Sequence, residues 1–250
     1  SIKEFQKGIA VGEIVASIGG GLLKAALAAK INGKVTDLST PINEDCNLEI
    51  LTFDDNEGKW ALRHTSSHIL AQAVKRLYPG VKLAIGPAID TGFYYDIDSD
   101  KSFSEQDLIS IEKEMEKIVK ENHQFTREEM TAADAKKLFA EMGEDYKQEI
   151  IDDLGVESVS IYKQGEFVDL CRGTHLPSTG YLKAFKLMST AGAYWRGDSN
   201  KKMLQRIYGV ALHKKKELDD YLVLLEEAEK RDHRKLGKQL DLFFLDEHGP

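Results

Sequence analysis

Apolar residues recur at helical spacing over Val11–Ile18 and again over Leu22–Ala29, separated by Gly19-Gly20-Gly21. The period then shortens. Ala29–Ile31 and Val35–Leu38 flank Asn32-Gly33, a dipeptide that favours a tight hairpin turn, and Leu48–Phe53 alternates as a further strand. Helix, hairpin and strand in this order predict a small ubiquitin-like β-grasp unit over residues 1–53. The polar run Asp54-Asp55-Asn56-Glu57-Gly58 reads as a linker.

A second pattern covers residues 54–213. Ala61–Leu77 is an amphipathic helix whose apolar set is Leu62, Ile69, Leu70, Ala73, Val74 and Leu77, stopped by Pro79-Gly80. Lys82–Ile89 and Phe93–Ile97 read as strands joined at Asp90-Thr91-Gly92. Helices are expected at Glu105–Asn122, Ala132–Met142 and Tyr146–Leu154. Val159–Lys163 and Glu166–Leu170 form a hairpin at Gln164-Gly165, and further strands fall at Ala184–Thr190 and Ile207–Leu212. Without βαβ regularity, the class is α+β with a mixed or antiparallel sheet. Residues 214–250 read as a charged connecting helix to about Leu236, striped by Tyr221, Leu222, Leu224 and Leu225. A strand-like run at Leu242–Leu245 is expected to open a further domain.

Composition changes little in this picture. No stretch approaches the roughly 20 apolar residues of a membrane span, and the start SIKEFQKGIA lacks the apolar core of an export signal, so the cytosol is expected. There, Cys46 and Cys171 are expected as free thiols. A net charge of −8 argues against general nucleic-acid binding. The charge is uneven, with acids in excess over residues 101–157 and bases over 183–238. The basic stretch around Lys201-Lys202, Arg206 and Lys214-Lys215-Lys216 reads either as a phosphate track or as solvated faces.

The chemistry lies in His64-x-x-x-His68 and Cys171-x-x-x-His175. On a helix, positions i and i+4 share a face, so two imidazoles stand side by side. Cys171 follows a strand and can project a thiol and the His175 imidazole from a loop. Three readings stay open. The four could ligate zinc and drive a zinc-dependent hydrolysis. They could act without metal, a thiol or imidazole activating water and another imidazole protonating a leaving alkoxide. Or they are separately placed structural residues.

The quoted runs resemble a known family. His64-Thr65-Ser66-Ser67-His68, Gly86-Pro87-Ala88-Ile89-Asp90-Thr91-Gly92-Phe93-Tyr94-Tyr95-Asp96, the loop from Gly165 to His175, and Phe185 to Asp198 are similar to the editing domain of bacterial-type threonyl-tRNA synthetases. The resemblance implies a TGS-like β-grasp domain followed by a domain that hydrolyses mischarged seryl-tRNA. It implies His64, His68, Cys171 and His175 as catalytic residues and Tyr95, Lys147 and Asp169 as binders of the serine and terminal ribose. It implies no required cofactor, and as partners the 3′ end and acceptor stem of the threonine tRNA. It also implies a full-length protein that dimerises through a synthetic domain. Motifs of that synthetic domain are not found in these 250 residues, so neither threonine activation nor ATP binding is expected of them. The rival from another class is a tRNA-gripping module without catalysis.

Overall fold

The structure is a computed structural model that describes residues 2–231. In the first unit, β1 (Ile9–Ala10) leads into α1 (Val11–Ile18) and α2 (Gly20–Ala25). There follow β2 (Ala28–Ile31), β3 (Lys34–Thr36), β4 (Pro41–Ile42) and β5 (Leu48–Leu51). The strands form an antiparallel sheet in the order β3-β2-β5, with β1 paired to β4. The β2–β3 hairpin turns at Asn32 and Gly33, both with positive φ, the backbone that a two-residue primed turn requires. Val11, Val15, Ala26, Ala29 and Leu38 pack as its core. The predicted helix over Leu22–Ala29 is corrected: α2 stops at Ala25, and Ala28–Ala29 already pair with β5.

The second unit begins earlier than the polar run suggests. Helix α3 spans Asn56–Leu77, so the expected linker at 54–58 is in part the helix start. There Gly58 lies so close to the Thr52 carbonyl that a Cβ would meet its oxygen at 1.8 Å. The predicted strand 82–89 is split into β6 (Lys82–Leu83) and β7 (Ala88–Ile89), both paired with β8 (Gly92–Asp98). Gly86-Pro87 causes the break. Proline has no N–H for a ladder, and Gly86 presses on the Tyr95 ring, where a Cβ would meet Cδ2 at 2.2 Å.

Helix α4 (Glu105–Glu121) starts at a capping box in which Ser104 and Asp107 satisfy each other's backbone N–H. After β9 (Phe125–Thr131) come α5 (Ala132–Glu141), α6 (Asp145–Leu154), β10 (Ser158–Gln164) and β11 (Phe167–Leu170). Strand β9 was not predicted because its residues after Phe125 are mostly exposed and charged, with no apolar alternation. Finally β12 (Ala184–Tyr194) and β13 (Met203–Leu212) extend beyond their predicted bounds, and α7 (Lys215–Lys230) follows. The predicted helix beyond Arg231 and the run Leu242–Leu245 lie outside the described residues.

Two antiparallel sheets result, β12-β13-β8-β6 and β9-β10-β11. Helix α3 is held between them and α4, buried almost all round from Ala61 to Val74. That is why Leu77, predicted to be core, stays 38% exposed: it lies past the covered part of the helix. Leu27, Ala28 and Leu51 of the first unit join the main core of the second, so the two units share apolar packing.

Candidate hydrolytic site

An all-round buried helix must satisfy its polar side chains internally. Ser66 and Ser67 donate back to the carbonyls of Leu62 and His64, and Ser67 also reaches Gly86. The remaining polar residues of α3 meet the loop after β11. His64 Nε2 lies 2.8 Å from Cys171 Sγ, and His175 Nε2 lies 3.2 Å from the same sulfur. The Gly173 backbone N–H donates to that sulfur as well, at 3.3 Å. Thr65 Oγ1 accepts the Leu176 N–H and stands 3.1 Å from His175 Nδ1.

Beside this cluster sits a buried ion pair. Lys147 Nζ, from α6, lies 2.5 Å from Asp169 Oδ1 at the end of β11, and both are almost fully buried. The Tyr95 hydroxyl donates to Asp169 Oδ2 at 2.6 Å and accepts from Lys147 Nζ at 2.9 Å. His68 Nε2 approaches the same Oδ2 at 3.8 Å, and its Nδ1, like that of His64, has no hydrogen-bond partner among the described residues.

All seven residues singled out in the sequence therefore converge. His64, His68, Lys147, Asp169 and Cys171 line one cavity of about 720 Å³. Tyr95 and His175 do not line it. Tyr95 meets the ion pair from behind, and His175 stacks beneath His64 with ring centroids 4.6 Å apart. The imidazoles belong to a column of four rings. Trp60 stacks on His64 at 4.6 Å, and His175 stacks on Phe125 at 4.9 Å. The column runs from buried Phe125 to Trp60, which is 41% exposed at the cavity rim.

Trp60, Thr65, Phe125 and Tyr162 were missed by the sequence reading. One signal was available, because Trp60, His64 and His68 continue a single i, i+4 row on the helix. Within the basic stretch, Lys201 pairs with Glu149, Lys202 with Asp98, Arg206 with Asp96, Lys214 with Glu217 and Lys215 with Asp219. Both cysteines are free. Cys46 is half-buried and Cys171 buried.

Burial fixes the charge state of the cluster. It pushes His64 down to about 3, with His68 as the next cause, and His68 down to about 3 with the Lys147 ammonium contributing. His175 lies well below its ordinary range for the same reason. The Cys171 thiol is pushed up to about 12 by burial, against the Gly173 N–H. At neutral pH these shifts favour a neutral thiol among three neutral imidazoles.

This has a direct effect on stability. An imidazole near 3 in the fold and near 6.5 when unfolded takes up its proton first in the unfolded chain. The stability that these histidines contribute is complete above pH 6.5 and is lost as the pH drops towards 3. The slope is at most about 1.4 kcal/mol per pH unit for each buried histidine. Urea midpoints measured at pH 7, 6 and 5 should fall steadily, and replacing His68 with Gln should flatten the slope.

Residues 1–52 match the TGS domain, and residues 159–208 match the Threonyl and Alanyl tRNA synthetase second additional domain. The fold and site thus define a class in which a TGS domain is followed by a synthetase-type second additional domain. Over its whole length the chain is 61% identical to a threonine–tRNA ligase of Clostridium botulinum and 60% identical to that of Clostridium acetobutylicum. It spans 39% of the length of each. The chain belongs to the threonine–tRNA ligase family, as the counterpart of its N-terminal region.

Proposed function

We propose that this chain hydrolyses the ester of seryl-tRNA(Thr) in the cytosol, clearing serine attached in error to the threonine tRNA. The observation that supports it best is the meeting of His64, His68 and Cys171 with the Lys147–Asp169 pair on one cavity.

Such a site answers a chemical need. Serine lacks one methyl of threonine, and a methyl is worth only about 1–3 kcal/mol of discrimination in a pocket sized for the larger side chain. A second cavity that admits the smaller residue corrects the error. Asp169 offers a carboxylate to the substrate ammonium, and Lys147 a donor to the seryl hydroxyl. Tyr95 holds both in place. Neutral imidazoles each carry one donor and one acceptor nitrogen. His64 accepts the proton of a water that it and Cys171 hold against the ester carbonyl, and a second imidazole gives its proton to the departing ribose oxygen, releasing serine and the free 3′-terminal hydroxyl. A thiol raised to about 12 is rarely a thiolate at neutral pH, which favours attack by water over a covalent acyl-enzyme.

Metal ligation is the second reading, because the four side chains offer donor atoms within 4.8 Å of one another. A tetrahedral zinc spreads its N and S ligands to about 3.5 Å, whereas His64 and Cys171 stand at hydrogen-bond distance, 2.8 Å. The metal-free route therefore suits this geometry better. The test mixes the chain with Ser-tRNA and Thr-tRNA and follows ester loss from each, before and after chelation. Loss from Ser-tRNA alone, unaffected by chelator, is expected. Binding without hydrolysis would leave only a tRNA-gripping module, and activity lost to the chelator would favour zinc.

A further inference from the structure

The loop that carries Cys171 and His175 is held from outside its own domain. Asp37 follows β3 in the N-terminal unit and is 8% exposed. Its Oδ1 accepts the backbone N–H of His175 at 2.8 Å, and its Oδ2 accepts the Tyr162 hydroxyl at 2.8 Å. The Tyr162 ring in turn stands edge-on to the His175 imidazole, with centroids 4.5 Å apart. One carboxylate therefore fixes His175 twice, through its main chain and, by way of Tyr162, through its ring. Phe125, Tyr162 and Cys171 form one apolar cluster, so the restraint extends to the sulfur. Burying a carboxylate opposes folding unless hydrogen bonds compensate it. The two donors given up to Asp37 come from the hydrolytic domain, not from its own unit.

We propose that Asp37 is a positioning residue for hydrolysis, so that the N-terminal β-grasp unit is a working part of the hydrolytic site and not only a separate appendage. The loop adopts its working geometry because the unit is docked. Asp37 touches no substrate. It acts by setting where His175 and Cys171 stand, and so where the water and the ester carbonyl meet. This inference rests on the hydrolytic reading given above.

The test uses the whole chain with Asp37→Ala, Asp37→Asn and Tyr162→Phe. Two readouts are needed. The first is hydrogen exchange at the His175 amide, followed by NMR, which does not depend on activity. The second is seryl-tRNA hydrolysis, resolved into kcat and KM.

Loss of a hydrogen bond to a charged acceptor should speed exchange at that amide by about ten- to a hundred-fold in Asp37→Ala. Because small displacements of reacting groups are costly, kcat should fall by roughly ten-fold or more with KM changed less than about two-fold. Asp37→Asn keeps an acceptor oxygen in the same place and should restore both readouts. Tyr162→Phe, which leaves the amide contact, should lower kcat by a smaller factor. It also stands in should Asp37→Ala not fold.

Unchanged kcat in both Asp37→Ala and Tyr162→Phe at a temperature where they are folded would overturn the proposal. So would an Asn variant as impaired as Ala, which would assign the effect to charge and not to position. Should the unmodified chain fail to hydrolyse seryl-tRNA, the hydrolytic reading falls and a positioning role falls with it. The exchange data would then report only whether Asp37 holds the loop.

Discussion

In chemical denaturation, Asp169→Ala is expected to lose about 3–5 kcal/mol of folding stability. The reason is what the substitution leaves behind. The Lys147 ammonium is almost fully buried and has the Asp169 carboxylate at 2.5 Å as its only charged partner among the described residues. Without it, an uncompensated cation remains almost fully buried, and the Tyr95 hydroxyl loses its acceptor. Lys147→Met combined with Asp169→Leu should recover most of the loss, because removing both charges also removes their desolvation cost. Urea unfolding of the two variants beside the parent chain checks this. A loss under about 1 kcal/mol for Asp169→Ala would mean that the pair is open to water.

Cys171→Ala and His64→Ala are each expected to slow seryl-tRNA hydrolysis by about 10²- to 10⁴-fold, the range for losing a positioned proton-transfer group. Both line the cavity, and both contact the same hydrogen bond, 2.8 Å long. KM should change little, since the groups that would hold the serine, Lys147 and Asp169, are untouched. The double variant should be scarcely worse than either single one, because the two residues act on one water. Single-turnover rates with Ser-tRNA decide it. No seryl thioester should accumulate on Cys171. Its capture by acid quench would replace the water route with a covalent one.

The two pairs at the centre of the site could be read from the sequence because they depend on local spacing, whereas Tyr95, Lys147 and Asp169 came only from the family resemblance. The i, i+4 pair His64 and His68 needed only the α3 pattern, and Cys171 to His175 needed only a strand followed by a short loop. That the two pairs meet, across more than a hundred positions, is a tertiary fact that spacing does not contain. Asp37 shows the limit most clearly. It reads as an ordinary polar residue after a short strand, and only the docking of two units gives it partners. Tyr95 could be picked out but not placed, since one face of a strand can line a cavity or support it from behind. For the same reason strand β9 stayed hidden. It takes its structure from pairing with β10, not from any alternation of its own.

The ring column has an optical consequence. The chain contains two tryptophans. Trp195 is buried in a separate cluster against Tyr146, whereas Trp60 lies flat on His64 at the cavity rim. Indole emission responds to solvent and to the rings it touches, so part of the intrinsic fluorescence belongs to the candidate site without any dye attached. Exchange of Trp195 for a non-emitting ring would isolate that light, and entry of an RNA terminus could then be watched in real time.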